Sequence, residues 1–344
     1  MPVQMDDRDK RLLNLLQSEF PLVRRPYAAL GERLPAGEEE ILARITRLRQ
    51  EKIIRQISAI FDTRSLGYRS SLVAMRADAA RVDEAAAMVN THPGVSHNYK
   101  RSHAFNMWFT IAVPPEKDLE ATVKRLHELA GAESTRILPT LRLFKIGVNL
   151  DMTGESNPAA LEEPAYSDRK REGADPAALT PREILAIREL QEDLPSEPAP
   201  FDPMAARMGI TPEDLFAVAA ELTRRGHLRR FAAVLHHRNA GFRANAMGVW
   251  KVPESRTDEV GAMMGSVRGV SHCYLRPTYP DWPYNIFTMV HGRTVKECEE
   301  ILGSISQATG ITDFAQLYST KEYKKTRVRY FTDEYEAWER QYAA

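Results

Sequence analysis

Two short segments concentrate the side chains able to do chemistry: GVSHNYKRSHAFNMWFT (94–110) and GVSHCYLRPTYPDWPYN (269–285). Each sets a histidine, His97 or His272, four residues ahead of an arginine, Arg101 or Arg276; the first segment adds Lys100 and His103. Imidazole exchanges a proton near neutral pH, and guanidinium grips a carboxylate through two parallel hydrogen bonds. Tyr99, Phe105, Trp108, Tyr274, Tyr279, Trp282 and Tyr284 crowd the same segments, enough aromatic surface to wall an apolar slot rimmed by cations. Each residue type also has a plainer use: a histidine bonded to a backbone carbonyl, an arginine in a surface ion pair, an aromatic filling space beneath a sheet.

Recurrence argues against the plainer uses. GVSHNY at 94–99 returns as GVSHCY at 269–274, an offset of 175 residues. Upstream, IIRQISAIFDTRSLGYR (53–69) matches HLRRFAAVLHHRNAGFR (227–243) through Arg55/Arg229, Arg64/Arg238, Gly67/Gly241 and Arg69/Arg243. Downstream, Phe105/Tyr284, Asn106/Asn285 and Trp108/Phe287 correspond, after a stretch four residues longer in the second half. His103 has no counterpart there; Thr278 stands closest before the insertion. His92, His127, His227, His236, His237 and His291 lack this context and read as structural or surface residues. Neither Cys273 nor Cys298 has ligand spacing, so no metal site is expected.

The elements that must position these segments follow from pattern. The chain is a fused pair of related α+β modules, each a winged helix-turn-helix followed by a ferredoxin-like βαββαβ domain. Boundaries are expected at 1–62 and 63–150 for the first module, a connector over 151–178, then 179–236 and 237–344. Leu12, Leu13, Leu16 and Phe20, then Ile41, Leu42, Ile45 and Leu48, form apolar helical stripes. Thr180-Pro181-Arg182-Glu183 and Thr211-Pro212-Glu213-Asp214 are helix starts. The first ferredoxin-like unit is expected to run strand, helix, strand, strand, helix, strand at about 69–76, 79–90, 95–101, 106–113, 117–130 and 136–146.

Composition removes several classes of function. With 47 basic and 47 acidic residues among 344, and a pI near 7.1, the chain has no overall pull toward nucleic acid or membrane. Hydrophobic residues at 43% and a mean hydropathy of −0.42 fit a folded globular protein, not disorder. MPVQMDDRDKRLL lacks the apolar heart of a secretion signal, and no run approaches the ~18 apolar residues of a membrane span. A cytoplasmic location is the default expectation.

DDRDKRLLNLLQ, ALGERL and ILARITRLRQEKIIRQISAIFD ahead of a ferredoxin-like unit resemble the leucine-responsive Lrp/AsnC regulators, in both halves. That resemblance allows a DNA-binding regulator sensing an amino acid. Against it, the recognition-helix turn reads Gly37-Glu38-Glu39-Glu40, which phosphates would repel. The expectation is therefore an assembly element with no specific DNA binding. The motifs H-N-Y-x-R-x-H-x-F-N-x-W-F-T and H-C-Y-x-R-P…W-P-Y-N are more selective, and resemble the two subunit types of the siroheme decarboxylases, fused. That family implies loss of carbon dioxide from the C12 and C18 acetate arms of siroheme, giving 12,18-didecarboxysiroheme on the way to heme d1 or heme b. On this resemblance His97, His103, Arg101 and His272 are the catalytic candidates. Lys100, Arg276, Tyr99, Trp108, Tyr274, Trp282, Tyr284 and Asn106 would bind substrate. The iron tetrapyrrole would be the only prosthetic group needed, acting as its own electron sink. One histidine could ligate the iron instead. The halves would form an internal pseudo-dimer around one main site near the first-half histidines, with further self-association open. A heme carrier without turnover is the remaining alternative.

Overall fold

The computed structural model describes residues 4–147, 160–164, 166–168, 178–236 and 244–342. Most of the expected connector, together with His237, Arg238, Gly241 and Arg243, lies outside them. In the first half, α1 (Asp7–Ser18), α2 (Pro26–Arg33), α3 (Glu38–Gln50) and β1 (Ile54–Phe61) precede β2 (Arg69–Arg76), α4 (Val82–Asn90), β3 (Val95–Arg101), β4 (Met107–Val113), α5 (Leu119–Ala130), β5 (Ser134–Pro139) and β6 (Arg142–Ile146). In the second, α6 (Pro181–Leu190), α7 (Asp202–Arg207), α8 (Pro212–Arg224) and β7 (Leu228–Leu235) precede β8 (Ala244–Trp250), α9 (Thr257–Ser266), β9 (Val270–Leu275), β10 (Ile286–Gly292), α10 (Val295–Thr309), β11 (Phe314–Lys325) and α11 (Glu334–Tyr342).

Local chemistry sets the helix starts. The Asp6 carboxylate accepts from the Asp9 amide at 2.7 Å while Asp9 accepts from the Asp6 amide at 3.1 Å, so two of the four orphan donors at the start of α1 are satisfied. Thr180/Glu183 and Thr211/Asp214 close the same box before α6 and α8. The acids at the start of α3 face cations of their own unit: Glu38 pairs with Arg25, and Glu40 with Arg8 at 2.7 Å and Arg44 at 2.9 Å.

Like pairs with like across the repeat. Two compact units result, one holding both helix-turn-helix regions and the other both ferredoxin-like domains. In the first, β1 and β7 pair antiparallel with each other, Ile57 opposite Ala233 and Ala59 opposite Phe231, so each module contributes one strand of a shared ribbon. In the second, nine strands run in the order β5-β2-β4-β3-β11-β8-β10-β9-β6.

That order contains an exchange. Phe314–Tyr318 of β11 pair with β8 of their own domain, and Ser319–Lys325 continue onto β3 of the other. The first half does the same in two pieces: β5 pairs with its own β2, and β6 with β9. The single strand expected over 136–146 is thus two, separated after Pro139 where the chain leaves one ladder for another. Three cores follow. One lies under α4, α5 and α11, one under α9 and α10, and a third joins Ala74, Trp108 and Leu138 of one domain to Met247, Phe287 and Leu317 of the other.

Glycine permits the crossing of β6. A Cβ on Gly261 of α9 would lie 2.2 Å from the ring of Phe144, carried by β6. Gly261→Ala is expected to lower the melting temperature, costing roughly 1–3 kcal/mol as overpacking, while Gly303→Ala, in the interior of α10 where no atom stands within 4 Å, should hold or slightly raise it, by about 0.5–1 kcal/mol of helix propensity. Thermal unfolding of both variants checks this.

His92 couples the carboxy-terminal helix to this fold. It is fully buried, its Nδ1 accepts from the Gly94 amide at 3.0 Å, and its ring lies edge-on to Tyr335 and Trp338 at 5.1 and 4.5 Å. Burial, and then the nearby Lys324 ammonium, push its pKa down to about 3. An imidazole that titrates near 6.5 when unfolded therefore favours unfolding once protons are available. Stability is fully present above about pH 6.5 and falls as the pH drops toward 3. Denaturant titrations across that range should show the loss, and His92→Gln should flatten it.

Candidate functional site

The repeated motifs occupy β3 and β9, where alternation sorts their side chains. Asn98 turns to α4, donating to Asn90 Oδ1 at 3.0 Å, and Cys273 turns to α9, its thiol against the Gly261 carbonyl at 3.6 Å. His97, Tyr99 and Arg101, and likewise His272, Tyr274 and Arg276, share the opposite face, the one carrying the joint core. A register shift at Ser96 in β3 is matched at Ser271 in β9. Each is a bulge, which places consecutive Ser and His side chains within reach of each other. Ser96 Oγ lies 3.0 Å from His97 Nδ1, and Ser271 Oγ 2.8 Å from His272 Nδ1.

The two arginines are the sharpest electrostatic feature. Arg101 and Arg276 are 5% and 6% exposed. Each donates Nη1 to a backbone carbonyl, Arg101 to Leu317 at 2.7 Å and Arg276 to Leu138. Among the described residues neither Nε has a partner, and neither guanidinium meets a carboxylate. Burial lowers both pKa values to about 10, so both remain cationic at neutral pH. They lie over Tyr99 at 5.8 Å and over Tyr274 at 4.6 Å, and Leu317, Leu138 and Phe287 bring both to the same joint core. An uncompensated buried cation is unfavourable by itself. Two of them make a site that favours carboxylates.

His103 stands in the turn after β3. Its amide donates to the Arg101 carbonyl at 3.0 Å, and its Nδ1 accepts from the Phe105 amide at 3.0 Å. Burial lowers its pKa. Trp282 comes against its ring edge-on at 5.3 Å. The proline-rich loop carrying Trp282 is pinned by a Tyr279/Trp282 backbone pair, by Tyr279 Oη donating to the Ile137 carbonyl at 2.6 Å, and by a two-pronged Arg136–Asp281 ion pair. The insertion of the second half therefore orders the extra histidine of the first.

Several sequence expectations are corrected. Asn106 turns its amide to its own chain and not to substrate: its Oδ1 accepts from the Ala77 amide at 3.0 Å and its Nδ2 donates to the Ala77 carbonyl at 2.8 Å. Asn285 clasps Val252 identically, so the repeated asparagine is a loop fastener. Lys100 lies on the helix face of β3, near Asp83, opposite to Arg101. Trp108 and Trp282 are each 1% exposed, 5.0 Å apart, and fill the joint core instead of lining an open wall. Tyr99, Tyr274 and Tyr284 keep partial exposure beside it. Sequence reading missed Ser96 and Ser271, although the repeated G-V-S-H contained them. It also missed the strands that face the histidines: Lys325 and Glu322 of β11 oppose His97 and Tyr99, whereas Ile146 and Leu143 of β6 oppose His272 and Tyr274. One station is polar, the other apolar.

Comparison with known proteins places this geometry. The AsnC-like ligand binding domain matches residues 65–145 and 239–324, and the siroheme decarboxylase NirDL-like HTH domain matches 9–55 and 183–229. A siroheme decarboxylase of Hydrogenobacter thermophilus is 38% identical over 97% of this chain and 98% of its own. This chain belongs to the siroheme decarboxylase family. A crystal structure of the siroheme decarboxylase NirDL in co-complex with an iron-uroporphyrin III analogue superposes with a TM-score of 0.75 at 34% identity, covering 98% of this chain and 99% of that one. The siroheme decarboxylase beta subunit of Methanosarcina barkeri is 43% identical over 43% of this chain and 97% of its own length. Half of this chain thus corresponds to a whole subunit in that relative, in keeping with the internal pairing of the halves.

Replacing either buried guanidinium tests the anion site. Arg101→Met or Arg276→Met should weaken binding of a ferric polycarboxylate tetrapyrrole about 10- to 100-fold, the scale of one charge-assisted hydrogen bond. The ligand-free variants should melt no lower than the parent, since an unpaired buried cation adds no stability. Spectroscopic titration and thermal melts read the two effects.

Proposed function

We propose that this chain is a carboxy-lyase that removes carbon dioxide from the C12 and C18 acetate arms of siroheme. The observation that carries this reading is the pair of buried, carboxylate-free arginines on repeated strands, bordering one aromatic core. Such a pair suits a planar ligand with several acid arms, and a relative of the same fold in co-complex with an iron-uroporphyrin analogue supports a tetrapyrrole.

Arg101 and Arg276 hold carboxylates of the ring periphery. As the bond between the acetate methylene and its carboxylate breaks, carbon dioxide leaves and the electron pair passes into the macrocycle, which is its own electron sink. One proton then converts the methylene to a methyl group. His97, half-exposed beside Lys325, is the proton source. His103, held neutral by burial and with Nδ1 already accepting a hydrogen bond, presents Nε2–H to an acid arm. His272 sits at the apolar station. No second cofactor takes part, and the reaction belongs in the cytoplasm.

The helix-turn-helix pair is an assembly element in this reading, because the acids of α3 already hold Arg8, Arg25 and Arg44. Specific retention of duplex DNA at physiological salt would overturn that part. Anaerobic incubation with siroheme followed by mass spectrometry tests the whole: loss of one and then two carbon dioxide units is expected. Unaltered siroheme with a shifted absorption spectrum would instead mean a carrier.

A further inference from the structure

We infer that Arg136 is a third carboxylate-binding residue of the site, and that Asp281 occupies it in the ligand-free protein as an internal copy of the acid arm that the ligand brings. Binding exchanges one carboxylate for the other. This rests on the reading of the ligand as an acetate-bearing tetrapyrrole, although its test needs binding and not turnover.

The ladder between β5 and β2 places Arg136. It stands directly opposite Ala74, and Leu138 stands opposite Leu72. Side chains directly opposite share a face, as do residues two apart on one strand. Ala74 and Leu138 belong to the joint core, so Arg136 projects on the face that carries Arg101 and Arg276. Leu138 also supplies the carbonyl that Arg276 holds. The Arg136 guanidinium lies over the rings of Phe105 at 5.7 Å and Tyr279 at 5.4 Å, and Phe105 stacks on His103 at 6.1 Å. Unlike the two buried arginines, its side chain is 28% exposed. A ligand arm can therefore reach it from water.

The group that fills its fork is the telling feature. Nε and Nη2 donate to the two carboxylate oxygens of Asp281 at 2.9 and 2.8 Å, the parallel grip by which guanidinium takes a carboxylate. Nη1 donates to the Thr135 carbonyl at 2.9 Å. An aspartate side chain is one methylene bearing a carboxylate, the same group as an acetate arm. The Arg136 fork, with Arg76 adding to it, holds the Asp281 carboxyl below the usual carboxylate range, so the copy is charged at neutral pH. Asp281 enters on the loop over 277–284, which the longer second half brings to the rim.

The loop does not need this pair to stay in place. Tyr279 Oη donates to the Ile137 carbonyl at 2.6 Å, Tyr279 and Trp282 pair through their backbones, and Trp282 is buried in the joint core. An exposed ion pair contributes little by comparison. An acetate arm that takes the fork thus replaces Asp281 by its chemical equal and leaves the loop seated. A longer arm would not match the reach that Asp281 sets.

Spectroscopic titration of the full chain with iron-uroporphyrin III, and in parallel with iron-coproporphyrin III, whose acetate arms are replaced by methyl groups, reads the exchange. Asp281→Asn removes the charge of the internal competitor and should tighten iron-uroporphyrin III about fivefold, the upper range for an exposed ion pair. Iron-coproporphyrin III should gain little. Arg136→Met should weaken iron-uroporphyrin III about tenfold, the scale of one charge-assisted hydrogen bond. In the Arg136→Met/Asp281→Asn double variant the gain should vanish. Unchanged or weaker binding by Asp281→Asn makes the pair a structural pin and overturns the inference, as does an Arg136→Met variant that binds like the parent. A gain that survives in the double variant is repulsion at a distance, and an equal gain with both rings is not an acetate arm; either result also overturns it. These outcomes defeat the inference alone, whereas a parent chain that binds neither ring defeats the proposed function with it.

Discussion

Everything described in the sheet unit depends on reciprocal strand exchange. The ladder of β11 passes from β8 to β3, and the β5–β6 run passes from β2 to β9. Antiparallel pairing satisfies the backbone donors and acceptors of β3 and β9, the strands that bear both Ser-His-x-Tyr-x-Arg motifs. The exchange also brings the carbonyls of Leu317 and Leu138 to the buried arginines. Without it neither guanidinium would have its one neutral partner, and both would face solvent or each other's sheet unguided.

The exchange likewise explains why two near-identical stations differ. The motif is repeated within the chain, but its surroundings come from the opposite half, and those strands differ. Lys325 and Glu322 meet one histidine station, Ile146 and Leu143 the other. A loop four residues longer sends Trp282 against His103, which has no counterpart. A duplicated gene can thus keep its chemistry-bearing residues while dividing their labour through the strands behind them.

Much of this was legible in sequence because it is local. Capping boxes at Thr180 and Thr211, apolar stripes on the helices, and the G-V-S-H repeat are properties of neighbouring residues, and the resemblance to siroheme decarboxylases rests on such motifs. What escaped reading is non-local. That β1 finds β7, and β3 finds β11, follows from pairing across more than a hundred residues, which leaves no periodic mark. Nor could spacing show that Asn106 clasps Ala77. That Lys100 points away from Arg101 was legible, because consecutive residues of a strand face opposite sides.

Because β3 and β9 are each completed by a strand from the opposite half, a half on its own presents a bare ladder of amides and carbonyls beside its histidine. Assembly and competence are therefore one event. A lone half has neither the partner carbonyl that steadies its arginine nor a finished wall beside its tyrosine. The fold itself leaves each station unfinished until both halves have met, and covalent fusion guarantees that they are made in equal number.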